Sequence, residues 1–113
     1  MSSPGLQGLR PWIIQRITAV FIAFVCVYFL VSFFSFESID FEQWHQWVYS
    51  PFNTVLLSLF LIAVLWHAWV GVRDVILDYF PNVIIRLLLL SLVAGVLLAS
   101  MLWGLRALLV VIS

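Results

Sequence analysis

Three long stretches without a charged side chain, residues 17–36, 43–72 and 87–105, constrain this chain of 113 residues more than any other feature. A helix crossing the bilayer needs about 20 predominantly apolar residues, each rising about 1.5 Å. Each stretch meets that length, so the expected fold is an all-α membrane protein with three transmembrane helices. The expected helices cover about 12–36, 51–79 and 83–111, in a single anchor domain spanning 1–113 with no linker or repeat. Charged residues make up only 9% of the chain. Soluble domains carry about a quarter, so lipid must cover much of this surface.

The charges mark the span ends. Arg10 and Arg16 flank the first span, and Arg73 and Arg86 flank the second connection. The first connection carries Glu37, Asp40 and Glu42 and no basic residue. Positive charge marks the cytoplasmic side. The expected orientation therefore has a cytoplasmic N-terminus and a periplasmic C-terminus, with Arg106 snorkelling to the outer interface. The first span is too long for a signal-peptide core of about 7–15 residues, so it is read as a retained helix. No transit peptide is visible, which suggests a bacterial source. Net charge is zero, which removes any electrostatic basis for nucleic-acid binding. Cys26 is the single cysteine, so no disulfide forms within the chain, and it reads as apolar filler.

The first connection reads as a short interfacial helix. Asp40 and Gln43 have capping-box spacing. Phe41, Trp44, Trp47 and Val48 share one face behind them, and Trp44, Trp47 and Tyr49 suit the headgroup region. Pro51 suits the first turn of the second span, and Pro81 stops it. Ser91, Gly95 and Ala99 on the third span, and Ala19 and Ala23 on the first, form small-residue ladders that allow close helix approach. Chance placement in Ala- and Gly-rich helices gives the same pattern. Three helices expose much lipid-facing surface, so a partner membrane subunit is expected.

One histidine stands out. Polar residues inside a membrane are costly and usually functional. His67 lies about 9 Å of helix rise before Arg73, inside the second span. His67, Gly71, Asp74 and Asp78 fall at i, i+4, i+7 and i+11, on one helix face. A glycine one turn from a histidine leaves room for a flat group such as a haem, with the imidazole as axial ligand. A histidine hydrogen-bonded to a neighbouring helix is the alternative. His45, the only other histidine, would lie about 33 Å along a continuous helix. A second axial ligand would therefore come from another subunit. Arg16, Asp78 and Tyr79 gather at the cytoplasmic end. A tyrosine hydroxyl donates to a carbonyl, and an arginine stabilises negative charge developing there, which suits quinone reduction. The same residues also suit a plain headgroup belt.

At this point the residues resemble a family. Residues 67–71 with Asp78 and Tyr79, and residues 14–19 at the start of the first span, resemble the smaller hydrophobic anchor subunit of bacterial succinate dehydrogenase. The resemblance extends over nearly the whole chain. It implies a multi-pass protein of the bacterial inner membrane in a four-subunit complex, with trimerisation of that complex left open. The partners implied are a flavoprotein, an iron–sulfur protein and a larger cytochrome b subunit. It implies His67 as an axial ligand of a haem b shared with the cytochrome b subunit, and Tyr79 as a hydrogen-bond donor to ubiquinone. It further implies Asp78 beside the quinone and Arg16 near the haem propionates and quinone pocket. The chain alone would not be catalytic. The larger subunit also has a histidine followed by Gly-x-Arg, but continues with a histidine where this chain has Asp74.

Two other classes compete. A haem-free structural anchor, of the fumarate reductase type, would use His67 for packing only. A small proton-coupled transporter would need an acidic residue within the membrane. Here every Asp and Glu lies at a span end or in a connection.

Overall fold

A computed structural model describes the backbone of residues 4–113 and the side chains of residues 9–113. The order is α1 (Pro4–Ser35), α2 (Phe41–Tyr49), α3 (Pro51–Tyr79) and α4 (Val83–Ile112), with no strand among the described residues. Three apolar spans, Leu9–Ser35, Pro51–Tyr79 and Val83–Ile112, are long enough to cross a membrane. The second and third expected spans agree with α3 and α4 to within a residue. α1 begins at Pro4 rather than near residue 12 and runs through Pro11. Pro11 has no N–H and is past the first turn, so α1 forfeits one intrahelical bond there.

α3 is the centre of the protein. α1 and α4 both pack against it, while no Cα of α1 comes within 8 Å of a Cα of α4 among the described residues. Both flanking helices therefore keep a wide uncovered face. Buried apolar side chains are few among the described residues: Val25, Val48, Val70 and Ile76. The small-residue ladder on α4 does not make its seam with α3. Ser91, Gly95 and Ala99 are exposed, and a Cβ placed on Gly95 would meet nothing within 4 Å. The close approach is at Gly104 instead, where a Cβ would stand 2.8 Å from Cδ2 of Leu61.

Local chemistry sets each boundary. Asp40 caps α2 by accepting from the Gln43 N–H at 2.8 Å and the Ser38 hydroxyl at 3.0 Å. Both bonds favour the charged carboxylate, so they hold Asp40 below its ordinary 3.8, the Gln43 bond contributing most. The cap is therefore fully made above the unfolded-state pKa and lost as pH falls through the lowered folded value. Expected is a Gln43 amide-shift titration with a midpoint below 3.8, absent in Asp40→Asn; a midpoint at or above that value contradicts the cap.

Asn82 caps α4, accepting from Ile84 N–H at 2.9 Å and Ile85 N–H at 3.3 Å. Arg86 then reaches back over the turn. Its guanidinium donates to the Leu77 carbonyl at 2.8 Å and to that of Phe80. It thereby satisfies carbonyls at the end of α3 and sets a positive charge where the helix dipole favours one.

At the opposite end, α2 is held by aromatic packing and by hydrogen bonds from Asn53 and Thr54 of α3 to its Trp47 and Val48 carbonyls. Val48, 1% exposed, is the anchor. Trp47 meets Phe29 edge-on at 5.5 Å and Phe33 at 5.9 Å. Asn53, 7% exposed, donates to the Trp47 carbonyl at 2.8 Å and accepts from the Tyr28 hydroxyl. One amide thus ties α1, α2 and α3. Interhelical hydrogen bonds in membranes are worth about 0.6 kcal/mol on average, reaching roughly 1.7. Asn53→Leu breaks two and should lose about 1–2 kcal/mol, read as earlier unfolding in mild detergent. Unchanged stability would show that aromatic packing and the Thr54 hydroxyl, which donates to the Val48 carbonyl, hold α2 without Asn53.

Candidate functional site

His67 stands in α3, twelve residues before its end, or about 18 Å of rise from Tyr79. The half-thickness of a hydrocarbon core is about 15 Å, so the imidazole lies within the apolar layer. It is half-buried. Its Nδ1 lies 2.8 Å from Oγ1 of Thr18 on α1. The Thr18 hydroxyl also lies 2.7 Å from the carbonyl oxygen of Ile14. The histidine therefore does have a partner on a neighbouring helix, through one ring nitrogen only.

The other nitrogen is differently placed. Nε2 makes no hydrogen bond among the described residues, and it is not one of the buried unpaired polar atoms, which are Gln15 Oε1 and Arg73 Nε. It therefore reaches the surface of the chain at membrane depth. A polar group left facing hydrocarbon costs several kcal/mol, so this atom calls for a ligand from outside the chain. Neutral imidazole is a common metal ligand. Its donor chemistry and its free edge fit one axial position of a haem. The described residues hold no group of three or more His, Cys, Asp or Glu side chains able to bind a metal alone. His45 lies between Phe41 and Tyr49 on α2, tilted against the first at 5.6 Å and stacked on the second at 6.0 Å, at the far end of the bundle.

Gly71 has a neighbour within the chain. A Cβ there would come 3.4 Å from Nε2 of Gln15 on α1. The room beside Gly71 thus lets an α1 amide approach α3, one turn from the Thr18–His67 bond. Thr18 and Gln15 both lie in the first-span segment that carried the family resemblance. Their seam with His67 and Gly71 is visible only once the two helices are packed.

The remaining site residues are spread around the Arg86 end of the bundle. Tyr79 is 77% exposed, and Asp78 is exposed beside it. Neither makes a side-chain hydrogen bond among the described residues. Arg86 grips the carbonyls of Leu77 and Phe80, on either side of this pair, and so holds its backbone. Arg16 is exposed, with its guanidinium 5.5 Å from the centroid of Trp12. Two residues along a helix differ by about 200°, so Arg16 points away from the seam that Thr18 enters. Arg73 pairs with Asp74 at 3.2 Å, both partly exposed, an arrangement worth little. Arg106 lies over Trp103 at 5.8 Å. The chain thus brings His67, Thr18, Gln15 and Gly71 together, while Arg16, Asp78 and Tyr79 face outward.

Known proteins are similar to this chain in sequence. The family model for the succinate dehydrogenase/fumarate reductase transmembrane subunit matches residues 7–103. The succinate dehydrogenase hydrophobic membrane anchor subunit of Coxiella burnetii is 31% identical over 100 residues, covering 88% of this chain and 87% of that protein. The subunit of the same name from Rickettsia typhi is 33% identical over 79 residues, covering 69% of this chain and 62% of that protein. With three apolar spans and a match across most of its length, the chain belongs to the succinate dehydrogenase/fumarate reductase transmembrane subunit family.

Proposed function

We propose that this chain is the smaller membrane anchor of a bacterial succinate:ubiquinone oxidoreductase. It holds a flavoprotein and an iron–sulfur subunit at the cytoplasmic face and pairs in the membrane with a cytochrome b subunit. His67 would hold the iron of a haem b shared with that subunit. The observation that carries this reading is the His67 ring, with Nδ1 engaged by Thr18 and Nε2 without a partner among the described residues at membrane depth. Further support comes from the relatives, which are succinate dehydrogenase anchors.

When bound, haem b supplies a one-electron redox centre within the membrane. The chain's own residues do the rest. The basic residues Arg10, Arg16, Arg73 and Arg86 put the N-terminus and the α3–α4 connection on the cytoplasmic side. Tyr79, exposed at the interface end of α3, donates its hydroxyl proton in a hydrogen bond to a ubiquinone carbonyl. Arg16 supplies positive charge towards the haem propionates and the quinone, where charge develops as electrons arrive before protons. Asp78 sets the polarity beside Tyr79. The uncovered faces of α1 and α4 are surface for lipid and for the partner subunit.

The test is a dithionite-reduced minus oxidised visible spectrum of the complex purified through this chain. A b-type haem signal is expected. An intact complex without haem would overturn the haem-sharing role and leave a haem-free anchor.

A further inference from the structure

Thr18 touches two groups that compete for one proton. Its Oγ1 lies 2.7 Å from the Ile14 carbonyl and 2.8 Å from His67 Nδ1. A third contact, to the Gln15 carbonyl, is longer at 3.2 Å. A threonine inside a helix commonly gives its hydroxyl proton to the carbonyl four residues back, and that contact is the shortest here. With the proton committed to Ile14, Oγ1 offers Nδ1 only lone pairs. Nδ1 must then be the donor and carry the ring proton. A neutral imidazole protonated at Nδ1 has its free lone pair at Nε2, the nitrogen that reaches the surface of the chain.

From this geometry we infer that Thr18 is a positioning residue for His67. It selects the Nδ1-protonated tautomer and tunes the basicity of Nε2 as an iron ligand. The inference rests on the haem reading above and adds to it. The chain of contacts runs from the Ile14 carbonyl, through the Thr18 hydroxyl, to the Nδ1–H of His67. Histidine ligands of metals are regularly held by such an acceptor, which fixes the ring and raises its basicity. A more basic axial ligand favours oxidised iron and lowers the reduction potential. Removing the acceptor should therefore raise the potential.

The experiment compares the complex carrying wild-type chain, Thr18→Val and Thr18→Ser by optical redox titration and by the electron paramagnetic resonance of the oxidised haem. Valine keeps the branched shape without the oxygen, and serine keeps the oxygen. For Thr18→Val, the ratio of reduced to oxidised haem at a fixed ambient potential should rise on the order of fivefold, the weight of one hydrogen bond. Its low-spin signal should shift as well, while Thr18→Ser stays close to wild type. Thr18→Ala also lacks the oxygen and carries the same expectation where the valine variant does not assemble. An unchanged potential and signal in the variants without the oxygen overturns the role of Thr18, as does a serine variant shifted as far as valine. A wild-type complex without haem overturns the underlying haem reading instead, so the two failures are distinguishable.

Discussion

His67→Ala is expected to abolish the low-spin b-type haem signature of the complex isolated through this chain. The substitution removes the imidazole whose Nε2 stands at membrane depth, and no other histidine of the chain can replace it. His45 lies between Phe41 and Tyr49 on α2, at the other end of the bundle. Loss of a group that merely supports a metal ligand costs about 10- to 100-fold in affinity or activity, so loss of the ligand itself should cost at least about tenfold in haem occupancy or turn the iron high-spin. The helices should survive, because the ring is only half-buried and its one bond among the described residues is to Thr18. His45→Ala should leave the spectrum unchanged. A low-spin spectrum identical in His67→Ala and wild type would remove His67 as the axial ligand.

Tyr79→Phe should lower succinate:ubiquinone reductase activity on the order of 10- to 100-fold, the range of a hydrogen bond to a group that gains charge. Oxidation of succinate by a soluble dye should persist, because that route does not need the quinone site. The substitution is clean on structural grounds. Tyr79 is 77% exposed, its hydroxyl has no partner among the described residues, and phenylalanine keeps the ring. Arg86 still holds the carbonyls of Leu77 and Phe80 on either side. Any loss therefore reports the hydroxyl itself. Undiminished ubiquinone reduction would take Tyr79 out of the site.

Much of the fold was legible from charge and prolines. Spans two and three agree with α3 and α4 because Pro51 opens α3 and Pro81 falls in the turn between them, where a residue without an N–H cannot continue a helix. The cap at Asp40 was legible because capping is local, needing only a carboxylate three residues before a free N–H. The start of α1 was less so, because a proline near a helix start is compatible with either beginning or continuing the helix. The ladder at Ser91, Gly95 and Ala99 has good spacing for close packing, yet the seam runs through Gly104. Spacing locates a face but does not say which face meets a neighbour.

The candidate site divides in the same way. His67 could be singled out because an imidazole within a charge-free span needs a reason. Thr18 and Gln15 could not be, since a threonine or glutamine in a helix can satisfy itself locally or at the interface. Nothing in the spacing of α1 tells which turn of α3 it will face.

By itself, the sequence determined that this chain spans a membrane three times, where each span stops, and that His67 is exceptional. These depend on solvation and on short-range hydrogen bonding, which act residue by residue. Only the tertiary structure decided that α1 and α4 both pack against α3, that Thr18 takes Nδ1 of His67, and that Gln15 approaches Gly71. Those contacts depend on the rotation and register of one helix against another. In lipid, where the hydrophobic effect no longer drives helices together, that choice is made by side-chain shape and a few interhelical hydrogen bonds.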